Sequence, residues 1–198
     1  MLTTSGRNQL LDATDIAYAS LHTDYPGTTQ ANEVTGGSPA YARKSVTFAS
    51  AASGSKASNN AQTFDVPAGT TVRWIGGSTA STAGSGRAVS PNGATPQEFI
   101  TDVTNDKIQC PAHGYSADQK IVFYGGTPPG GLTAGTIYFV KAPATDDFQV
   151  AATAGGSAIN LTSQAVADCV VSKIVEESFG AQGTFTLASG AFTIALNN

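Results

Sequence analysis

Hydrophobic and polar residues alternate along several short segments of this chain, a two-residue period that is typical of half-buried β-strands. The alternation is clearest over residues 183–187 and 191–196, on either side of Ser189-Gly190. Serine followed by glycine is typical of a tight turn. These residues are therefore predicted to form a hairpin with one buried face.

Further strands are predicted in the first half of the chain. Residues 18–22 are predicted to form a strand, and residues 41–48 alternate well enough to form another. Residues 62–66 and 70–75 flank Pro67-Ala68-Gly69, so they are predicted to pair as a second hairpin.

One helix and two polar segments interrupt these strands. The expected helix is short and covers residues 7–16, with Leu10 and Ile16 on its apolar side. Residues 49–60 consist of small and polar side chains and are expected to form an exposed loop. Residues 76–86 cannot build a core of their own and are expected to be mobile, or ordered only by a neighbouring subunit.

The spacing of strands becomes regular between residues 105 and 171. Strand-like segments occur there at short intervals, separated by glycine and proline pairs, which is typical of a small all-β sandwich or barrel. The predicted strands are residues 107–110, 120–124, 136–141, 147–151 and 158–161.

The composition favours a mainly β protein. Charged residues make up only 12% of the chain, against roughly 25% in an average soluble domain. Helix surfaces depend on Glu, Lys and Arg, whereas the abundant Gly, Ser and Thr of this chain suit strands and turns. The predicted fold class is mainly β, with a β-sandwich-like domain and a short N-terminal helix.

Charge and hydropathy exclude two classes of partner. The net charge is −4 and the ten Lys and Arg residues are scattered, whereas a nucleic-acid-binding surface needs clustered positive charge. No apolar run of the sequence approaches the roughly 20 residues that span a bilayer, and the N-terminal residues lack the regions of a signal peptide. The chain is expected to be made in a cytoplasm, without membrane insertion.

The two cysteines, Cys110 and Cys169, lack the close spacing of metal ligands. They are expected either to be small buried residues or to form a disulfide. Their positions near the two ends of the 105–171 segment favour the bond, because first and last strands often neighbour each other. Closing a loop of this length would stabilise the fold by roughly 4 kcal/mol.

Neither histidine is predicted to be catalytic. His22 stands beside Thr23 and Asp24, but adjacent residues of a strand point in different directions, whereas a triad is assembled from separate elements. His22 is expected to bond loop backbone at the end of a strand. His113, which precedes a turn glycine, is expected to have a similar structural role.

Two pairs of adjacent acids carry no predicted site either. Asp146-Asp147 lacks the alternating acids and closing Glu of a calcium loop and is expected to be a solvated turn. The side chains of Glu176-Glu177 would project to opposite faces of a strand and could not flank one glycosidic bond. No catalytic, cofactor-binding or metal-binding residue is predicted.

Tyr25 and Tyr115 lie in predicted turns and are the candidate partner contacts. Tyrosine buries a large area while its hydroxyl stays polar, so it can anchor a protein or stack on a sugar. Packing within the chain explains both residues equally well.

Three segments of the first half resemble a family of small tailed-bacteriophage proteins that are usually labelled tail fibre or minor tail proteins. They are Leu21-His22-Thr23-Asp24-Tyr25-Pro26-Gly27, Asn32-Glu33-Val34-Thr35-Gly36-Gly37 and Tyr41-Ala42-Arg43. Residues 183–196 are similar to the usual ending of that family.

Residues 105–171 resemble a different sequence, a repeat found in phage tail and fibre proteins. The residues that carry this likeness are His113-Gly114, Val122-Phe123, Leu132, Tyr138-Phe139-Val140, Phe148-Gln149 and Gly155-Gly156. Relatives of the first family are shorter in this region. The resemblance therefore implies two domains, residues 1–104 with 172–198, and residues 105–171 inserted between them.

Together these resemblances imply a non-enzymatic structural protein of a tailed-phage virion, most directly a tail component. The expected partners are other virion proteins, further copies of the chain in a homo-oligomer, with a trimer as the first expectation, and a glycan or protein of the host surface. Two alternatives stay open: a capsid decoration protein that stabilises the shell and, less favoured, a polysaccharide-cleaving enzyme. No cofactor is implied.

Overall fold

The computed structural model describes residues 2–166 and 168–196, which form one short helix and sixteen short strands. In chain order these elements are α1 (Thr4–Asp12), β1 (Tyr18–His22), β2 (Lys44–Ser45), β3 (Ser55–Ala57), β4 (Gln62–Val66), β5 (Thr70–Val72), β6 (Trp74–Ser78), β7 (Gly86–Pro91), β8 (Ile100–Asp102), β9 (Lys107–Gln109), β10 (Lys120–Tyr124), β11 (Ile137–Lys141), β12 (Asp147–Ala151), β13 (Val170–Lys173), β14 (Glu177–Phe179), β15 (Gly183–Leu187) and β16 (Thr193–Ala195). The predicted mainly β fold with one short helix is confirmed.

The described residues fall into two compact units. Unit 1 consists of the residues up to Asn92 together with those from Glu176 onward, and unit 2 consists of those from Gly93 to Val175. Unit 1 contains α1, β1 to β7 and β14 to β16, whereas unit 2 contains β8 to β13. Within the described residues, no helix is long and apolar enough to span a membrane.

A four-stranded sheet in the order β2-β1-β6-β7 forms one layer of unit 1. β1 pairs with β6 along its whole length, and every residue of β6 is buried. Gly76 lies in the middle of β6, where a Cβ atom would come within 2.5 Å of Ser20 Oγ and His22 Nε2. Only glycine lets the two strands and these polar side chains share the space.

The same sheet corrects the expectation that residues 76–86 are mobile. Residues 76–78 belong to the buried strand β6, and β7 follows after a short turn. Arg43 holds that turn, because its Nη1 donates to the carbonyl oxygens of Ala80 (3.0 Å) and Ala83 (2.6 Å). A side chain of the same chain therefore contacts this segment and helps to fix it.

The C-terminal strands complete unit 1 by pairing with strands from the first half of the chain. β14 pairs with β5, β15 with β4, and β16 with β3. In the longest of these pairs Phe185 lies opposite Phe64, and both side chains are buried. Unit 1 is thus assembled from two chain segments that are far apart in sequence.

This pairing shows that both predicted hairpins are wrong. Strands form at residues 62–66 and 183–187 as predicted, but they pair with each other across the unit. The segments Pro67-Ala68-Gly69 and Ser189-Gly190 each lead from one two-stranded pair to another. Alternation indicates which face of a strand is buried, and it carries no information about which strand lies beside it.

Aromatic side chains occupy the centre of the unit 1 core. The Phe64 ring lies 6.4 Å from the Phe185 ring and 6.2 Å from the Tyr41 ring, and Phe192 lies 5.7 Å from Phe48. The aliphatic side chains around them come from both chain segments and from both layers. They are Ile16, Leu21, Val34, Val46, Val66, Val72, Ile75 and Leu187.

The helix lies closer to the N-terminus than the predicted residues 7–16. Thr3 caps its beginning by accepting a hydrogen bond from the amide of Gly6 at 3.2 Å. Near its end the hydroxyl of Thr14 donates to the carbonyl oxygen of Leu11 at 2.9 Å. These two threonines, rather than the spacing of apolar residues, set the ends of the helix.

Two predictions for the segment before β4 are also wrong. Residues 41–48 contribute the two-residue strand β2 instead of a full strand, and residues 49–60 contain β3 instead of a single exposed loop. Lys56, in the middle of β3, is only 7% exposed. Its ammonium donates to Thr14 Oγ1 at 2.5 Å and lies 4.8 Å from the centroid of the Phe48 ring. These contacts offset part of the cost of burying the charge.

Unit 2 is built on a six-stranded antiparallel sheet in the order β13-β10-β11-β12-β9-β8. Before β8 begins, Gln97 pairs with Val171 of β13 through two backbone hydrogen bonds of 2.9 and 3.0 Å. This isolated bridge places the segment before β8 beside β13, the strand at the other end of the sheet.

Alternate residues of these strands fill the interior of unit 2. The buried cluster contains Ile108, Ile121, Phe123, Tyr138, Val140, Phe148, Val150 and Val171. The strands predicted at residues 107–110, 120–124, 136–141 and 147–151 are confirmed, with ends that differ by a residue in two cases. The segment 158–161 forms only an isolated bridge, between Ala158 and Ala151.

Candidate functional site

Polar side chains of unit 1 gather around β1 and β6, and most of them belong to the three segments that carry the family resemblance. We call this group the polar cluster. Its members are Ser20, His22, Gln30, Glu33, Tyr41, Arg43 and Ser78. Because the cluster contains the clearest candidate chemistry of the chain, its geometry decides whether unit 1 has a reaction centre.

An ion pair between Glu33 and Arg43 is the strongest contact in the polar cluster. Arg43 Nε and Nη2 donate to the two carboxylate oxygens of Glu33 at 2.8 and 2.7 Å. The Arg43 side chain is 9% exposed, and the Glu33 side chain is 20% exposed. The bond to Glu33 raises the pKa of Arg43. A pair so little exposed to solvent is screened much less than a surface pair.

Tyr41 links this ion pair to the neighbouring strand. Its hydroxyl donates to Glu33 Oε1 at 3.2 Å and accepts a hydrogen bond from the amide of Leu21 at 2.8 Å. Burial raises the pKa of Tyr41 well above its usual range. The hydroxyl therefore stays protonated and acts as a fixed hydrogen-bond link inside the unit.

His22 is completely buried, and both of its ring nitrogens have partners. Nδ1 lies 2.7 Å from the carbonyl oxygen of Ala31, and Nε2 lies 2.9 Å from Ser20 Oγ. A carbonyl oxygen only accepts, so Nδ1 carries the proton and Nε2 is the acceptor. Burial lowers the pKa of His22, which favours this neutral form. The prediction that His22 bonds loop backbone is confirmed.

The Ser20–His22 contact resembles part of a catalytic triad, but its surroundings do not suit catalysis. Ser20 and His22 both have 0% of their surface exposed. Gly76 of the paired strand packs directly against Ser20 Oγ and His22 Nε2. A nucleophile must have a substrate atom within reach, and here the backbone of β6 occupies that position. The arrangement joins β1 to the loop at Ala31.

His113 has a comparable structural position in unit 2. Its Nδ1 accepts a hydrogen bond from the amide of Tyr115 at 2.9 Å. Its ring is 5% exposed and lies 5.0 Å from the Phe148 ring. The predicted structural role of His113 is therefore confirmed by its contacts.

The acidic pairs are engaged in contacts within their own units. Asp146 Oδ1 accepts a hydrogen bond from the amide of Ala112 at 2.9 Å, and Asp147 lies 2.9 Å from Lys107 Nζ. No group of three potential metal ligands occurs among the residues that the structure describes. Asp146 therefore lies in the turn before β12 and Asp147 begins β12, and both carboxylates are bound to neighbours.

Glu176 forms a second ion pair of unit 1, with Arg73. Arg73 Nε donates to Glu176 Oε1 at 2.6 Å, and Nη1 of the same guanidinium donates to the carbonyl oxygen of Thr23 at 2.7 Å. The carbonyl oxygen of Arg73 accepts a hydrogen bond from the amide of Asn92 at 2.7 Å. One residue thus binds both places where the chain passes between unit 1 and unit 2.

The two tyrosines considered as partner contacts have different environments. Tyr25 is half-buried, and its ring lies 4.9 Å from the ring of Trp74. Tyr115 is 8% exposed and lies in the core of unit 2, 5.5 Å from the Phe148 ring. The structure corrects the expectation for Tyr115, because its ring packs inside the unit and leaves little surface for a partner.

Both cysteines are free thiols in the structure. Cys110 is buried and its Sγ donates to Gln97 Oε1 at 3.0 Å, while Cys169 is half-buried. Burial raises the pKa of both thiols, to about 11 for Cys169. The strands that they follow and precede, β9 and β13, are not adjacent in the sheet. The interpretation of the cysteines as small buried residues fits this geometry better than the disulfide.

An open groove of about 680 Å³ lies in unit 1, between the end of α1 and the segment that joins β2 to β3. We call it the Lys56 groove. It is lined by Asp12, Thr14, Ile16, Ala17, Ser45, Val46, Thr47, Phe48, Ala49, Ser50 and Lys56. Sequence reasoning missed this groove, because Lys56 lies in a segment of small polar residues that gives no sign of a buried lysine.

Comparison with known families supports the resemblance in the first half of the chain. A family model described as podophage GP4 fiber I protein gp80 matches residues 2–114. The match contains the whole polar cluster and the strands from β1 to β9. No curated protein and no solved structure shows a significant match to the chain.

The buried ion pair predicts a large loss of stability in Glu33→Gln. The substitution leaves the Arg43 guanidinium inside unit 1 without a counter-charge, so the free energy of unfolding should fall by about 3 kcal/mol. Urea denaturation measures the change. The matched control is Asp15→Asn, which removes the acid of the exposed Asp15–Arg87 pair and should cost less than about 1 kcal/mol. Equal losses in the two variants would contradict a structural role for the buried pair.

His22 predicts a specific dependence of stability on pH. Its pKa in the folded state is lower than the ordinary value of 6.5, so below that value the unfolded chain binds a proton that the folded chain does not. The contribution of His22 is therefore fully present above pH 6.5 and is lost as the pH falls toward the folded-state pKa. Urea denaturation from about pH 8 to about pH 5 should show this loss in the natural chain and a smaller one in His22→Gln. An unchanged slope in the variant would rule out His22 as its source.

Proposed function

Because the chain belongs to a family of podophage fibre proteins, we propose that it is a non-enzymatic building block of the virion, carried on the tail. The observation that carries this proposal is the family match over residues 2–114. Nearly all the residues of unit 1 that come before unit 2 in the chain lie in that segment. The match therefore covers much more than one short motif.

The contacts of the polar cluster support a role without catalysis. Glu33 and Arg43 neutralise each other, Tyr41 bridges two strands, and His22 is held in its neutral form by two partners. Each of these groups stabilises unit 1 through a bond to a neighbour in the same unit. In this proposal the polar cluster specifies a fold for assembly.

We further infer that the chain works as a homo-oligomer, with a trimer as the first arrangement to test. Low charge and glycine-rich turns suit repeated contacts between identical copies, since symmetry multiplies weak interactions. Exposed apolar side chains in unit 2, Ile100 at 66% and Val166 at 61%, are candidates for such contacts. Residues 105–171 are proposed as the inserted module that meets a glycan or protein of the host surface, with Tyr25 of unit 1 as a further contact.

Fractionation of phage particles tests the tail assignment. Particles that carry this protein would be separated into tails and DNA-filled heads, and each fraction would be probed with an antibody against the chain. The proposal expects the protein in the tail fraction, with a copy number per tail that is a multiple of the number of chains in one oligomer. Recovery with tail-free heads would instead show a capsid decoration protein, and release of reducing sugar from host polysaccharide by the purified chain would show an enzyme.

A further inference from the structure

The Lys56 groove contains a buried ammonium whose hydrogen-bonding capacity is only partly used. A lysine ammonium has three N–H donors. Among the described residues, the one hydrogen-bond acceptor of Lys56 Nζ is Thr14 Oγ1 at 2.5 Å. Thr14 in turn donates its own hydroxyl proton to Leu11. The remaining N–H groups of Lys56 are thus available to a molecule in the groove that lysine itself lines.

The groove is also lined by a negatively charged side chain. Asp12 also lines the groove, is exposed, and interacts electrostatically with Lys56. Its Oδ1 accepts a hydrogen bond from the amide of Ala51 at 2.8 Å, which fixes the side chain, and a carboxylate can accept several more hydrogen bonds. One cation and one anion leave the groove without net charge, so it offers both a donor and an acceptor to a neutral ligand.

The rest of the lining combines hydroxyl groups with apolar side chains. The exposed residues Ser45, Thr47 and Ser50 belong to the lining, and the Thr47 hydroxyl also contacts the side-chain oxygens of Asn59 and Asn60. The buried side chains of Ile16 and Val46 contribute an apolar part of the surface. A ligand that matches this lining needs C–H groups for the apolar part and hydroxyl groups that both donate and accept. The volume of about 680 Å³ lies within the roughly 300–1,000 Å³ of typical small-molecule sites.

From these observations we propose that the Lys56 groove binds a neutral, hydroxyl-rich ligand, namely a short oligosaccharide. Lys56 donates hydrogen bonds to sugar hydroxyl oxygens, and Asp12 accepts hydrogen bonds from sugar hydroxyl groups. The proposal rests on the proposed function for the source of the sugar, which would be the host surface. It places a second surface of contact in unit 1, apart from the module proposed for residues 105–171.

An array of neutral oligosaccharides, probed with the purified full-length chain, tests this inference. The array should include a separate set of oligosaccharides that contain uronic or sialic acid. Binding to members of the neutral set is expected. For a bound member, NMR spectra of the protein should show shifts at the amides of Thr14, Thr47 and Lys56. Binding to the acidic set alone, or to neither set, would overturn the proposal.

Substitution of Lys56 separates the groove from other surfaces. Lys56→Met keeps the length of the side chain and removes its donors, so affinity for the neutral oligosaccharide should fall at least roughly tenfold. The matched control is Lys44→Met, which removes a lysine of unit 1 that does not line the groove. Thermal unfolding of both variants verifies that they are folded. Unchanged affinity in folded Lys56→Met, or an equal loss in Lys44→Met, would overturn the proposal.

The outcome is independent of the tail assignment. Sugar binding that depends on Lys56 would stand even if fractionation placed the protein on the capsid, because the groove lies within one chain. Conversely, a tail protein whose groove binds no neutral sugar would retain the proposed function and lose this inference. The array and the fractionation therefore report separately.

Discussion

Unit 1 depends on the pairing of three strands near the C-terminus with three strands from the first half of the chain. β14, β15 and β16 pair in turn with β5, β4 and β3. Phe185 and Leu187 from the later segment enter the same core as Phe64 and Val66 from the earlier one. This second layer covers the apolar side of the four-stranded sheet, so neither segment can bury its hydrophobic face alone.

The pairing imposes a geometric condition on the chain between the two segments. Residues of unit 2 intervene, so the chain must leave unit 1 and return to it. Within unit 1, Arg73 binds the residue where the chain leaves and the residue where it returns. Its carbonyl oxygen accepts a hydrogen bond from the amide of Asn92, and its guanidinium donates to the carboxylate of Glu176. Within unit 2, the bridge between Gln97 and Val171 brings residues near its two ends together. A compact unit whose first and last segments are neighbours can therefore occupy this place in the chain.

The polar cluster shows how residue types that often carry chemistry can act as structure. His22, Glu33 and Arg43 are residue types that catalytic sites use, yet each is bound to a partner that strengthens unit 1. Gly76 is equally important, since a larger residue would displace Ser20 and His22. In the proposed function, contacts with partners are made elsewhere, by exposed side chains of unit 2 and by the Lys56 groove.

The ends of β1, β10, β12 and β15 were predictable to the residue. Burial alternates along β15, whereas β1 and β10 are buried on four successive residues each. Their partners were not predictable, since pairing is decided by contacts between distant segments. Composition could not predict that the segment around Gly76 is buried, because small residues permit close packing as readily as mobility. It could not predict the burial of Lys56 either, because that burial depends on the Phe48 ring and the Thr14 hydroxyl. Glu33 and Arg43 both lie in segments that carry the family resemblance, but nothing in the sequence indicates that these two side chains form an ion pair.

Native-state hydrogen exchange of the backbone amides tests most directly whether unit 1 is completed by its C-terminal strands. If the account is correct, the hydrogen-bonded amides of β15 and β4 exchange with the same free energy of opening, equal to that of β1 and β6 in the other layer. If β14 to β16 open with a much smaller free energy while β1, β4 and β6 stay protected, the C-terminal strands are an accessory and the account is wrong.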